Sequence, residues 1–241
     1  MLHDDDASGG PPAAYKDLCI DAVDPELLGR FWAGVLGLRY EPDADEAVLR
    51  GPTPQHTVWI NRVPEAKSVK HRMHLDVDVT AIEPLVSLGA RVVDSDSFPW
   101  TVLLDPEDGE FCAFLHEKVA GPRFELVVDT SEDPGAAHRI AAWWAELLGA
   151  RVTDEDGYSA VQDVPGAPFD AIAFVPVPEP KVVKNRIHVH VACSDVTDLT
   201  GARLLRAPDD DIGWHVLSDP DGNEFCAFVV PHPSSDTDGE H

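Results

Sequence analysis

From Met73 to Val79 the chain alternates apolar and polar positions. Met73, Leu75, Val77 and Val79 fall on one side and His74, Asp76 and Asp78 on the other, which predicts a half-buried strand. The same period of two predicts strands over 17–22, 39–41, 47–50, 57–63, 91–94, 100–104 and 111–115. Between the first two, Asp24-Pro25 supplies a helix N-cap and first turn. Leu28, Phe31, Trp32 and Val35 then share a helical face, and Gly37 ends it. A shorter helix is predicted over 82–88, closed by Gly89.

The pattern then repeats. Lys-Ser-Val-Lys-His-Arg-Met-His-Leu-Asp-Val from Lys67 returns as Lys-Val-Val-Lys-Asn-Arg-Ile-His-Val-His-Val from Lys181. Trp100 and Trp214, Asp105 and Asp219, and Cys112 and Cys226 keep the same offset of 114 residues as His74 and His188. An offset constant over so long a stretch means a duplicated domain. In the second copy a strand is predicted at 125–129, and a helix capped by Asp133-Pro134 and closed at Gly149. The expected domains are 13–118 and 119–230. The tails, 1–12 and 231–241, are rich in Asp, Gly, Ser and Pro and are expected to be disordered.

Composition narrows the functional classes. With 18 basic against 44 acidic residues the formal net charge is −26, which repels nucleic acid and anionic lipid and excludes both as expected partners. No apolar run reaches the roughly 18 residues that span a bilayer. The acidic start, Met-Leu-His-Asp-Asp-Asp, is unlike a secretory leader, so the expected location is cytoplasmic. The four cysteines show no dense spacing and read as reduced thiols. Neither a phosphate-cradling glycine loop nor a nucleophile elbow nor a paired-cysteine zinc motif is present.

Phe31-Trp-Ala-Gly-Val-Leu-Gly37 with Trp143-Trp-Ala-Glu-Leu-Leu-Gly149, the two His-bearing strands, and Asp219-Pro-Asp-Gly-Asn-Glu-Phe-Cys226 together resemble the vicinal oxygen chelate superfamily of glyoxalases, bleomycin-resistance proteins and extradiol dioxygenases. The resemblance covers residues 15–230. It implies an α+β fold of two tandem glyoxalase-like domains, with four βαβββ units forming curved mixed sheets and helices outside. Each copy is then expected to carry an eight-stranded sheet, forming an internal pseudo-dimer in a monomer or homodimer. Whether units pair within a copy or exchange between copies is left open.

Alternation assigns the polar faces. His74, Asp76 and Asp78, then His188 and His190, face the cavity, as do Glu110, Cys112 and Phe114 with their counterparts Glu224, Cys226 and Phe228. Asp17, Cys19 and Asp21 share a face, with Glu125, Val127 and Asp129 corresponding.

Metal-dependent members of the superfamily draw ligands from a domain's first, fourth, fifth and eighth strands. By motif this implies Glu125, His188 and Cys226 in one copy and Asp17, His74 and Cys112 in the other. The fourth strand, Thr57–Asn61 or Ala171–Val175, offers no acid. The implied cofactor is therefore none, or a divalent metal such as Zn²⁺ on three protein ligands. The Cys residues have an equally physical role as small apolar filler.

His188, His190 and His215 are the candidate catalytic groups, able to change charge near neutral pH; simple pocket hydrogen bonding is the competing role. The second copy, richer in imidazole, is expected to hold the more active pocket. His74, Asp76, Trp100, Trp214, Phe114 and Phe228 are candidate ligand contacts, with core packing the alternative for the tryptophans. The expected function is recognition of a small organic ligand in a concave pocket, as bleomycin-resistance proteins do; the alternative is a glyoxalase-like lyase or isomerase.

Overall fold

A computed structural model describes residues 10–230. The tail expectations over 1–9 and 231–241 lie outside the described residues. The first copy runs β1 (Ala13–Ala22), α1 (Pro25–Leu36), β2 (Arg39–Asp43), β3 (Glu46–Arg50), β4 (Val58–Arg62), β5 (Met73–Val79), α2 (Glu83–Leu88), β6 (Arg91–Asp94), β7 (Thr101–Leu104) and β8 (Glu110–Leu115). The second runs β9 (Arg123–Thr130), α3 (Ala136–Leu148), β10 (Arg151–Glu155), β11 (Tyr158–Gln162), β12 (Ala171–Pro176), β13 (Ile187–Cys193), β14 (Arg203–Arg206), β15 (His215–Ser218) and β16 (Glu224–Val229).

Asp24 caps α1 as the sequence predicts, its side chain accepting from Leu27 N at 3.1 Å, and Gly37 closes the helix in the left-handed region at φ 64°. The second copy differs. Its helix starts after Gly135, which takes φ 76°, so Asp133-Pro134 forms a turn ahead of the helix. The fourth unit's helix is reduced to a single 3₁₀ turn, Val196–Asp198. Asp195 caps Thr197 N at 2.8 Å there, but Gly201 at φ 88° turns the chain away before a second turn can form.

The strands make two eight-stranded mixed sheets. Sheet A has the order β14-β15-β16-β13-β1-β4-β3-β2, and sheet B the order β10-β11-β12-β9-β5-β8-β7-β6. Units therefore pair between copies. Sheet A joins the first unit to the fourth through antiparallel β1 and β13, and sheet B joins the second to the third through β5 and β9. The expectation that each copy would carry its own eight-stranded sheet is corrected by this register.

The repeated Lys-rich segments turn out to be the crossovers from one sheet to the other. Both are clamped alike: Lys67 Nζ and His71 N donate to Glu110 at 2.7 and 3.0 Å, and Lys181 Nζ and Asn185 N donate to Glu224 at 2.7 and 3.1 Å.

Leu18, Ile20, Leu75, Val77, Val189, Val191, Phe111 and Phe225 alternate into one continuous core with α1 and α3. The helices tie the sheets together. Phe31 and Trp32 of α1 pack edge-on against Phe111 of sheet B, at 5.7 and 5.4 Å. Trp144 of α3 packs on Phe225 of sheet A and donates from Nε1 to Asp219 at 3.1 Å. Each aromatic side chain buries 150 Å² or more in general, which makes this layer the main support for the opposite, polar faces.

Candidate functional site

The polar faces of β1 and β13 meet on sheet A. Asp17 stands opposite His190, and Cys19 opposite His188. Asp17 Oδ1 lies 2.6 Å from His190 Nδ1, while Oδ2 accepts from Lys16 Nζ at 2.5 Å and Trp59 Nε1 at 3.1 Å. Lys16 is the extra residue of a β-bulge between Tyr15 and Asp17, which turns its side chain back over the polar face. Its Nζ lies 4.3 Å from the centre of the Phe228 ring, and Trp214 stacks on Phe228 at 5.5 Å.

This face is closed, and its Asp17–His190 pair is internally satisfied. Asp17, Cys19, His188, His190 and Cys226 are all buried. Burial works against the Asp17 carboxylate, but the His190 and Lys16 contacts outweigh it and hold the group below its usual range. Burial drives the His188 imidazole well below its ordinary pKa, with His190 and Lys184 adding to the effect, and it pushes the Cys226 thiol up to about 12.

His215 does not join this cluster. Cross-strand register places it opposite Ala227, on the helix side with the Leu217–Phe225 pair, while Val216 stands opposite Cys226 on the polar side. The expectation of three convergent imidazoles fails by one residue of strand parity.

Sheet B puts different residues at the same places. Asp76 stands opposite Glu125, and His74 opposite Val127. Asp76 neighbours Cys112 across β8. His74 Nε2 lies 3.3 Å from Asp76 Oδ1 and 3.9 Å from Cys112 Sγ. Asp76 Oδ1 has no hydrogen-bond partner among the described residues. Phe114 faces the same side and packs on Trp100 at 5.3 Å, which in turn stacks on Phe98.

An open cavity of about 260 Å³ lies here, lined by Asp76, Asp78, Glu125, Asp170, Arg123, His116 and Phe114 among others. Arg123 is committed to Asp170 at 2.7 Å and His116 to Asp78 at 2.9 Å. Burial raises the Glu125 pKa, and the neighbouring Asp76, Asp170 and Asp78 raise it further. No hydrogen bond or ion pair to a cationic side chain is made by Asp76 or Glu125 among the described residues, His74 aside.

The sequence-derived metal sets are divided by the sheet exchange. Glu125 belongs to sheet B, whereas His188 and Cys226 belong to sheet A; Asp17 belongs to sheet A, whereas His74 and Cys112 belong to sheet B. Two other groups have donor atoms within 4.8 Å of one another: Cys19, His188 and His190, and His74, Asp76 and Cys112. Cys19 was missed as a ligand because only the β1–β13 register brings it to His188.

A hard, octahedral ion on the superfamily's four strands does not fit sheet A. Both Asp17 oxygens are engaged, the fourth-strand position holds Trp59, and Cys226 replaces a carboxylate. The acids Glu110 and Glu224, two residues before the cysteines, are spent on clamping the crossovers.

The architecture has counterparts among solved structures. Glyoxalase I from Zea mays is similar over 89% of this chain and 92% of its own, at 15% identity and a TM-score of 0.59. A proposed dioxygenase from Bacillus subtilis subsp. subtilis str. 168 is similar over 92% of this chain and 87% of its own, at 12% identity and a TM-score of 0.56. At such identities the likeness establishes the fold. No curated protein matches the chain in sequence. No helix among the described residues is long and apolar enough to cross a membrane. The family model described as a glyoxalase-like domain matches residues 17–114 and 125–228, and with both copies of the repeat matched, the chain belongs to the glyoxalase-like domain family.

Proposed function

We propose that the protein binds a small organic cation in the open face of sheet B, with Asp76 and Glu125 as the anionic contacts and Phe114 as the aromatic wall. The observation that carries this reading is a contrast at one place in the fold. Sheet A pairs Asp17 with His190, which satisfy each other, while sheet B sets two carboxyl groups, Asp76 and Glu125, directly opposite. Like charges directly across strands destabilise a sheet, and a cavity beside them gives a cation room to relieve the repulsion.

An ammonium carried on an apolar body suits the site better than a bare ion. Phe114 offers a ring face, and cation–aromatic contact adds roughly 0.5 to 2 kcal/mol. The overall charge of −26 attracts such a ligand at long range. The family name and the resemblance to bleomycin-resistance proteins are in keeping with sequestration of a small molecule, and no bond-making step is required of these residues.

The reading is tested by thermal-shift titration with choline, its neutral isostere 3,3-dimethyl-1-butanol, and succinate. Choline should stabilise the protein selectively, and Glu125→Gln should weaken it by about tenfold, equivalent to ~1.4 kcal/mol. An equal response to the neutral isostere, or choline binding indifferent to Glu125→Gln and Asp76→Asn, would overturn it.

A further inference from the structure

Sheet A carries a second cluster, independent of the cavity on sheet B. Across β1 and β13, Cys19 stands opposite His188, with His190 two pairs along on the same face. A sulfur or nitrogen atom from each lies within 4.8 Å of the others. Cys19 is 0% exposed, His188 5% and His190 4%. Among the described residues His188 Nδ1 has no hydrogen-bond partner despite that burial, and buried polar atoms are ordinarily paired.

His190 is held differently. Its Nδ1 is fixed at 2.6 Å by Asp17, which is itself fixed by Lys16 and Trp59. A carboxylate on one imidazole nitrogen fixes the ring and leaves the other nitrogen oriented, which is how metal-bound histidines are commonly supported.

We propose that Cys19, His188 and His190 form a buried zinc site, with Asp17 positioning the His190 ring. One thiolate and two imidazoles are a zinc donor set, and they disfavour the hard, oxygen-seeking ions. The site therefore departs from the carboxylate-rich one that the superfamily resemblance implies. On binding, the Cys19 S–H bond is replaced by a sulfur–zinc bond and the proton leaves to solvent. Sheet B is a built-in comparison, since Val127 takes the place of Cys19 and Asp76 that of His190; the equivalent of the Cys19 set cannot form there, and the donor group on that sheet is His74, Asp76 and Cys112, with a carboxylate in place of one imidazole.

The test uses tag-free full-length protein, both native and refolded with one equivalent of Zn²⁺ or Co²⁺, because a closed site admits metal slowly. Native mass spectrometry should show one zinc per chain. Co²⁺ should give a sulfur-to-cobalt charge-transfer absorption. Both signals should be lost in Cys19→Val, which installs the residue sheet B uses, and in Cys19→Ala should the valine variant not fold; His74→Ala should keep them. Retention of zinc in the Cys19 variants, its loss in His74→Ala, or failure of the refolded wild type to take zinc at all would each overturn the proposal.

Discussion

Asp76 and Glu125 face each other across β5 and β9, at the place where sheet A sets His190 against Asp17. The duplication thus kept one backbone register and filled it with opposite electrostatics. Each sheet takes one unit from each copy, so the comparison is between sheets and not between halves. The expectation that the second half holds the more active pocket dissolves on that ground. His188 and His190 share their face with Asp17 of the first half, and Glu125 of the second half shares its face with Asp76 of the first.

Neutralising the carboxylate pair should stabilise the protein. Glu125→Gln removes a like-charge cross-strand contact and is expected to raise stability at pH 7.5 by up to about 1 kcal/mol, read as a shift in the urea midpoint at unchanged m-value. A clear loss of stability would mean that Glu125 is satisfied by its neighbours as it stands.

The matching change on sheet A should do the reverse. Asp17→Ala strips partners from His190, Lys16 and Trp59 together, and is expected to cost about 2 to 4 kcal/mol, because buried polar partners are left unpaired. Denaturant unfolding of the two variants side by side checks the contrast; equal effects would contradict it.

Acid sensitivity should have an identifiable source. His71 is 8% exposed, and burial lowers its pKa to about 4, with Glu110 opposing. The folded protein keeps the ring neutral while the unfolded chain protonates it near pH 6.5, so its contribution to stability is full above pH 6.5 and is lost as pH falls toward 4. His71→Asn, which installs the residue the second copy has at Asn185, should flatten the stability profile in that window by roughly 2 to 3 kcal/mol relative to wild type. Asp219, raised to about 6 by burial, slopes the opposite way in both proteins and cancels in the difference; Asp105, raised likewise, lies beside His71, so the comparison is made in an Asp105→Asn background. Parallel profiles would contradict the assignment.

Hard divalent ions should have little purchase on sheet A. Mn²⁺ at millimolar concentration is expected to leave the amides around Asp17 and His190 free of paramagnetic broadening, since Trp59 and Cys226 stand where oxygen donors are needed. Saturable broadening centred there, or an octahedral ion at Asp17 and His190 in a crystal, would contradict this.

Much of the fold was legible because it rests on local periodicity and on a repeat whose offset stays constant from Lys67 to Cys112. Met73–Val79 shows its two faces in seven residues, and Asp24-Pro25 with Gly37 marks both ends of α1. The site was harder to read, because its groups meet through strands far apart in sequence. Nothing near Asp17 announces His190, 173 residues later. Strand parity also slips at turns. His215 was placed by its neighbourhood in the sequence, whereas the β15–β16 register sends it to the helix side. The bulge at Lys16, which closes sheet A, likewise follows from pairing with β13 and leaves no local signature.

The most direct measurement of the central claim is backbone-amide NMR mapping of choline binding to the full-length protein. Saturable shifts are expected to cluster on sheet B, around Asp76, Phe114 and Glu125, with the amides around Cys19, His188 and Cys226 undisturbed. Shifts centred on sheet A, or no saturable shift on either sheet at millimolar choline, would contradict it.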